Sequence, residues 1–259
     1  MWFGAILMIN NFAEFVRNID KDIKDGFNKG INNFSPICIE NEPVAAFEID
    51  RSLARNARWL NNFISKEKRN DCNLELLVDN NYRTFVIILE SPHINEFEKN
   101  RKKNNPDDNY GNHPAMGKTG ININRFFLDY INKFIPTINK CNKSISDSKN
   151  DILPGKYCLY LINAIRFQCS LGQEKKRLKN KVFRKCFEDV DEKEFFKNYL
   201  ANIKPSVVLN ACTSNFKNLI WKTIDELNVD DVVMLESYHP SAWTNNICIC
   251  TRTLPKNNQ

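Results

Sequence analysis

Four apolar segments between residues 84 and 235 most constrain the fold of this 259-residue chain. Each is a short, nearly continuous apolar run without polar alternation, a pattern typical of strands that are buried on both faces. The runs are Thr84–Leu89, Tyr157–Ile162, Ser206–Asn210 and Val232–Leu235. A strand buried on both faces needs helices above and below it, so the runs predict a parallel sheet between two helical layers.

The segments between the runs carry helical patterns. Apolar side chains recur at helical spacing over residues 123–134, 195–203 and 216–227, as one face of a helix requires. Asp191 opens a candidate capping box before the second of these helices, and Ser214 is a candidate cap for the third. Alternating strands and helices predict an α/β fold: a three-layer α/β/α sandwich around a mostly parallel, four-stranded sheet.

The N-terminal region differs from this motif-bearing core over residues 84–243. Residues 1–80 carry helical patterns over 12–23 and 53–64, which predict extra helices packed on the core. The composition shows no break, so residues 1–259 are predicted to form a single domain. Two long polar loops are predicted, over residues 95–113 and 136–154.

Composition narrows the classes of protein. Eight glycines exclude a collagen-like chain, and 37 Lys and Arg against 31 Asp and Glu leave a mild excess of +6, which suits a polyanionic partner. Nine cysteines without a Cys-x-x-Cys pair indicate buried, reduced thiols rather than a zinc ribbon or a redox pair. We expect a cytoplasmic protein, because the N-terminus shows no signal-peptide pattern and no membrane span.

Polar side chains collect where the predicted strands end. Glu90, Asn163 and His239 each follow an apolar run, and Gly117 and Gly120 open the first core helix. Each has an ordinary interpretation: a carboxylate caps a helix, an amide closes a turn, and glycines permit close packing. The carboxyl ends of parallel strands meet at one edge, however, and ligands bind there. The sequence therefore predicts that a carboxylate, an amide and an imidazole meet at this edge.

The order of these motifs resembles the uracil-DNA glycosylase superfamily, and in particular its thermophile-type branch. The resemblance covers residues 84–243 and leaves residues 1–80 unmatched. The motifs are Glu90-Ser91-Pro92, Pro114 to Gly120, a strand ending in Asn163, Cys186 before a helix, and His239-Pro240-Ser241. The resemblance implies the fold of that superfamily and hydrolysis of the N-glycosidic bond of a base rotated out of the DNA.

The resemblance also implies roles for individual residues. His239 would hydrogen-bond the pyrimidine as negative charge develops on the departing base, and Asn163 would read the edge of the base. Glu90 would orient water or stabilise the cationic sugar. Ser91 stands where other members carry the water-activating Asp, and His93 is a candidate substitute base. No lysine matches a Schiff-base position, so a monofunctional enzyme that leaves an abasic site is expected.

Ala115 stands where the family stacks an aromatic ring on the base. Loss of the ring would forfeit about 1–3 kcal/mol of stacking and enlarge the pocket. The sequence therefore favours a bulky base, such as glucosylated hydroxymethylcytosine in phage DNA, removed in antiviral defence. Alternatively, Tyr110 or Phe126 supplies the ring, or the site has decayed.

Several residues are candidates for contact with the DNA backbone. Trp243 matches an apolar wedge in the base stack, or it simply packs beneath a loop. Arg101-Lys102-Lys103 is a weaker basic candidate than the run over residues 175–181. The predicted DNA-binding residues are Gly117, Lys118, Ser241, Trp243, Lys175, Lys176 and Arg177.

The family branch holds an iron–sulfur cluster on four cysteines. Cys186 matches one ligand position, but Phe167 stands at another and Cys169 comes two residues late. A cluster needs all its thiolates, so we expect no cofactor and no metal. The predicted partner is double-stranded or single-stranded DNA, with no membrane, and the predicted state is a monomer.

Three alternative functions stay open. The first is ordinary removal of uracil in base-excision repair. The second is a catalytically inactive sensor of a nucleobase or DNA, which Ser91 favours. The third, a small-molecule hydrolase using Ser91 and His239, ranks last because the chain lacks a Gly-x-Ser-x-Gly elbow.

Overall fold

A computed structural model describes eleven stretches of the chain. They are residues 39–50, 57–64, 81–92, 96, 113–144, 152–167, 169, 176–189, 191–227, 231–244 and 249–251. The predicted helix over residues 12–23, the basic segment 101–103 and the candidate residues His93, Tyr110 and Lys175 lie outside the described residues. Of Lys176 and Arg177, the structure describes the backbone but not the side chains.

The described strands form one mixed, seven-stranded sheet in the order β2-β1-β4-β3-β5-β6-β7. The strands are β1 (Glu42–Ile49), β2 (Ala57–Asn62), β3 (Arg83–Leu89), β4 (Gly155–Asn163), β5 (Val207–Asn210), β6 (Val233–Ser237) and β7 (Ile249–Thr251). The neighbours β4, β3, β5 and β6 are parallel, whereas β1, β2 and β7 are antiparallel to their neighbours. The four predicted strands are confirmed as β3 to β6, but the prediction of a four-stranded sheet is wrong, because the sheet has seven described strands.

Helices cover both faces of the sheet. They are α1 (Lys118–Ser144), α2 (Lys176–Asp189), α3 (Glu192–Ile203) and α4 (Ser214–Asp225). Phe85, Ile87 and Leu89 of β3 join the apolar cluster beneath α1, whereas Val86 and Ile88 join the cluster beneath α2, α3 and α4. This burial of both faces explains the continuous apolar runs and confirms the three layers.

Two predicted elements differ from the structure. The helix predicted over residues 53–64 is wrong for Ala57–Asn62, which pairs with β1 as strand β2, and residues 53–56 lie outside the described residues. Arg58 lies across from Glu48, with 2.8 Å between Nη2 and Oε2. The loop over residues 136–154 is also wrong as far as Ser144, because α1 continues through Pro136. A proline removes one backbone hydrogen bond, and the buried face of α1 anchors the preceding turns.

Neither of the two predicted helix caps forms a side-chain hydrogen bond to the helix that follows it. Asp191 precedes α3 in a left-handed conformation, with φ of 58°, and its side chain makes no capping hydrogen bond. Ser214 is the first residue of α4, so Thr213 holds the cap position, also without a side-chain bond. The helices themselves form because their apolar faces, including Phe196 and Phe216, are fully buried.

Candidate functional site

A cleft of about 610 Å³ opens at the carboxyl edge of the parallel strands. The chain passes from β3 to β4 on one side and later returns to β5 on the other side of β3. Ligands of α/β sheets bind where the strand order reverses in this way. The walls of this carboxyl-edge cleft include Glu90, Ser91, Lys179, Lys217, Tyr238 and His239.

Glu90 follows β3 and is 3% exposed. Its Oε2 accepts a hydrogen bond from Lys179 Nζ at 2.7 Å, and its Oε1 accepts one from the backbone N–H of Thr213 at 2.7 Å. Burial raises the pKa of the Glu90 carboxyl group. The nearby Lys179 ammonium, these two hydrogen bonds and the attraction of His239 outweigh burial, so the pKa lies below its usual 4.5. The cleft therefore contains a buried carboxylate that is ionised at neutral pH.

Lys179 lies on α2, in the basic run over residues 175–181 that was predicted to contact DNA phosphates, but its contact with Glu90 was not predicted. Its side chain is 31% exposed, so the amine reaches the cleft while it contacts Glu90. The signal was present in the sequence. Lys179 precedes Phe183 by four residues and Cys186 by seven, and both are fully buried, so helical spacing places all three on one face.

His239 precedes a short 3₁₀ helix, Pro240–Ala242. The backbone N–H of Ser241 donates to His239 Nδ1 at 3.3 Å, and Ser241 Oγ lies 3.0 Å from the same nitrogen. Asn122 of α1 donates from Nδ2 to the carbonyl of Pro240 at 2.8 Å and so anchors this turn. A backbone N–H can only donate, so Nδ1 accepts. The imidazole therefore carries its donor proton on Nε2.

Two more cations and one aromatic ring line the carboxyl-edge cleft. Lys118 lies at the start of α1, and Lys217 lies on α4 with its Nζ 3.8 Å from Glu236 Oε2. The Tyr238 ring is 67% exposed, and Lys217 Nζ lies 6.0 Å from its centroid. The cleft thus joins positive charge with an accessible aromatic surface.

Asn163 lies one strand away from these groups. It ends β4 beside Leu89 and is 1% exposed. It does not line the carboxyl-edge cleft. Its backbone N–H donates to Asn41 Oδ1 at 2.8 Å, while its own amide atoms have no hydrogen-bond partner among the described residues. The structure therefore brings the predicted carboxylate and imidazole together in one cleft, with the amide at the same sheet edge but outside that cleft.

Ala115 does not shape the cleft, so the prediction of a pocket enlarged at this position is wrong. It is fully buried in the apolar cluster beneath α1, in a left-handed conformation with φ of 57°. A Cβ on Gly120 would lie 2.0 Å from the Ala115 carbonyl oxygen, so Gly120 serves close packing. Gly117 does line the cleft, and an added Cβ there would meet no atom within 4 Å. Phe126 is 8% exposed in the same cluster and supplies no ring to the cleft.

Trp243 is a core residue, and its prediction as a DNA wedge is wrong. It is 2% exposed, its indole N–H donates to the carbonyl of Tyr238 at 2.8 Å, and its ring meets Tyr130 edge-on at 5.1 Å. Ser241, by contrast, lines the cleft with Ser91. The alternative that Trp243 packs beneath a loop is confirmed.

The cysteines have structural positions. Cys169 and Cys186 are buried in the cluster beneath α2, α3 and α4. Cys212 lines the cleft, and burial raises the pKa of its thiol well above the usual value. Among the described residues, no group of three His, Cys, Asp or Glu side chains is placed to hold a metal ion. In the same part of the chain, no helix has both the length and the apolar character of a membrane span.

Comparisons of the chain with models of protein families, with curated proteins and with solved structures gave no match. The resemblance to the uracil-DNA glycosylase superfamily therefore depends on the motif order and on the chemistry of the cleft.

Proposed function

We propose that the chain is a DNA glycosylase that hydrolyses the N-glycosidic bond of a base rotated out of the helix. The observation that carries the proposal is the pairing of a buried, ionised Glu90 with His239 in one cleft at the carboxyl edge of the sheet. Four central parallel strands between two helical layers support the superfamily fold.

The chemistry follows from the charges that develop as the bond breaks. Positive charge grows on the sugar, and the Glu90 carboxylate stabilises it or orients the attacking water. Negative charge grows on the departing base, and the Nε2–H of His239 donates to it. A fixed donor aimed at developing charge is a strong source of catalysis. Lys118 and Lys217 supply charge for the flanking phosphates.

The preferred base is a modified cytosine, and glucosylated hydroxymethylcytosine in phage DNA is our first candidate. A cleft of about 610 Å³ holds a ligand larger than one pyrimidine ring. The exposed Tyr238 ring offers the stacking surface that Ala115 lacks. An enzyme with this substrate would act in antiviral defence in the cytoplasm, whereas release of uracil would assign it to base-excision repair.

One observation favours a second candidate, a binding module without catalysis. Both oxygens of Glu90 already accept hydrogen bonds from the protein, which leaves fewer lone pairs for a water molecule. Ser91 also provides no carboxylate beside it. Such a module would bind a nucleobase or DNA and leave the glycosidic bond intact.

A strand-break assay tests the proposal. The protein is incubated with a uracil-containing duplex and with phage DNA that carries glucosylated cytosines, and abasic sites are then broken with alkali. Breaks in the phage DNA alone support the modified-base enzyme, and breaks in the uracil duplex identify a repair enzyme. Tight binding without breaks in either DNA would instead identify the sensor.

His239→Ala should lower the rate of base release by about 10²–10³-fold, as loss of a donor to a developing anion does. The measurement is single-turnover release of the base that the strand-break assay identifies. His113→Ala is the matched control, because His113 lies outside the cleft with its Nδ1 3.1 Å from Glu42. A loss below about threefold for His239→Ala would remove the imidazole from the mechanism.

A further inference from the structure

We infer that Lys179 gives the carboxyl-edge cleft a second activity: cleavage of the DNA strand at an abasic site through a covalent imine. The inference rests on the proposed function for its substrate, since an abasic sugar is the product of base release. It goes beyond that function because hydrolysis of the glycosidic bond needs no amine. It also revises the expectation of a monofunctional enzyme, which depended on the absence of a lysine at the site.

The geometry places an amine beside a carboxylate whose direction is fixed. The Lys179 amine lies 2.7 Å from Glu90 Oε2, within the range of a nucleophile and its base. The Thr213 N–H holds the other oxygen of Glu90 at 2.7 Å and so fixes the direction of the carboxylate. An amine, a base and a group that orients the base therefore follow one another in the wall of the cleft.

Accessibility distinguishes Lys179 from an ordinary buried ion pair. Glu90 has 4% of its side chain exposed, but Lys179 has 31%, so a ligand in the cleft can reach the amine. Lys118 and Lys217 also line the cleft, but neither has a contact with Glu90 in the structure, and Lys217 is directed to Glu236 at 3.8 Å. Among the described lysines that line the cleft, Lys179 is the one that is hydrogen-bonded to Glu90.

The reaction balances without a cofactor. Lys179 first passes one proton to water, so that Glu90 stays ionised, and the lone pair of the amine attacks the C1′ aldehyde of the open abasic sugar. The C1′ oxygen leaves as water and a C=N bond forms. Glu90 then takes a proton from C2′, a C2′=C3′ bond forms, and the C3′–O bond breaks with its electron pair leaving on the phosphate. Water finally hydrolyses the imine and restores the Lys179 amine.

Borohydride trapping tests this step. The full chain is mixed with a duplex that carries one preformed abasic site, sodium borohydride reduces any imine, and the covalent complex is separated on a denaturing gel. Lys179→Arg keeps a cation for Glu90 but cannot form this imine. Lys181→Arg makes the same change at an exposed position of α2 outside the cleft. We expect the wild type and Lys181→Arg to be trapped, and Lys179→Arg to lose the complex.

Two results would overturn the inference: no trapped complex with the wild type, or full trapping by a folded Lys179→Arg protein. If that variant fails to fold, peptide mapping of the reduced wild-type complex decides, since the adduct must lie on Lys179 and not on another amine. The abasic site is preformed, so this test does not require base release. Base release without a trapped complex would leave the proposed function standing and refute only this inference. A trapped complex without release of any base would support the imine at Lys179 and contradict the proposed glycosylase function.

Discussion

Two carboxylate–cation pairs in the same helical layer, Glu90–Lys179 and Glu192–Arg166, differ in how they are enclosed. The distances between the charged side-chain nitrogen and oxygen atoms are 2.7 and 3.0 Å. The Lys179 side chain is 31% exposed, whereas Arg166 has 5% exposed and Glu192 has none. One pair therefore opens into the cleft, and the other is closed within the protein.

The pKa of the two carboxyl groups shifts in opposite directions. Burial is the largest influence on both and raises both values. At Glu90, Lys179, the hydrogen bonds and His239 together outweigh burial, so the pKa is lowered. At Glu192, burial prevails over Arg166 and the pKa is raised, and the negative charge of Glu40, which lies 3.3 Å from Arg166, adds to the rise. The two carboxyl groups thus differ in whether their neighbours offset the effect of burial.

The enclosed pair has a structural role. The backbone N–H of Arg166 donates to Glu192 Oε2 at 2.7 Å, and its guanidinium donates to Oε1. The Arg166 Cζ also lies 3.3 Å from the centre of the Phe195 ring. These contacts join the segment that follows β4 to the first turn of α3.

Arg166→Ala should cause the largest loss of stability, about 3–5 kcal/mol, because it leaves the Glu192 carboxylate buried without its cation. Urea denaturation measures the free energy of unfolding. Arg166→Lys is the matched control and should recover part of the loss. A loss below about 1 kcal/mol would show that Glu192 is neutral in the folded protein.

Lys179→Ala should cost less, about 1–3 kcal/mol, because water in the cleft can replace the ammonium beside Glu90. The same urea denaturation measures the loss in the free energy of unfolding. Equal losses for Lys179→Ala and Arg166→Ala would contradict the distinction between the open and the enclosed pair.

The variants Glu90→Gln and Glu192→Gln should show opposite responses to pH. Glu90 has a lowered pKa, so its advantage over a glutamine at this position is present above pH 4.5 and disappears as the pH falls further through the folded-state value. Glu192 has a raised pKa, so its contribution is present below pH 4.5 and is lost as the pH rises through the folded-state value. Denaturation of both variants and the wild type across this range gives the two differences. Parallel pH profiles would contradict the assignment.

The central strands were predictable from the sequence because burial on both faces leaves an apolar run that few other structures share. Strand β1 was not, because Pro43 and the Ala45-Ala46 pair are unusual in strands and only its neighbours β2 and β4 make it one. Helix α2 was obscured by its lysines, although Val182, Phe183, Cys186 and Phe187 are spaced as a buried helical face.

The site was predictable where it depends on strand ends. Glu90 and His239 follow β3 and β6, so parallel pairing alone brings them to one edge. Lys179 comes from the first turn of a helix, and the exposure of Tyr238 depends on the fold around it, so neither follows from strand order. Ala115 and Trp243 failed as predictions because a motif position does not show which way a side chain points.

The position of Cys212 affects how readily the cleft is oxidised. A sulfur atom in the wall of an open cleft would ordinarily be a point of oxidative damage, since the thiolate is the form that oxidants attack. Burial beneath the Glu90 carboxylate keeps the Cys212 thiol protonated. The cleft therefore contains a cysteine whose protonated thiol reacts slowly with oxidants. Among the described cysteines, the exposed one is Cys250 on edge strand β7.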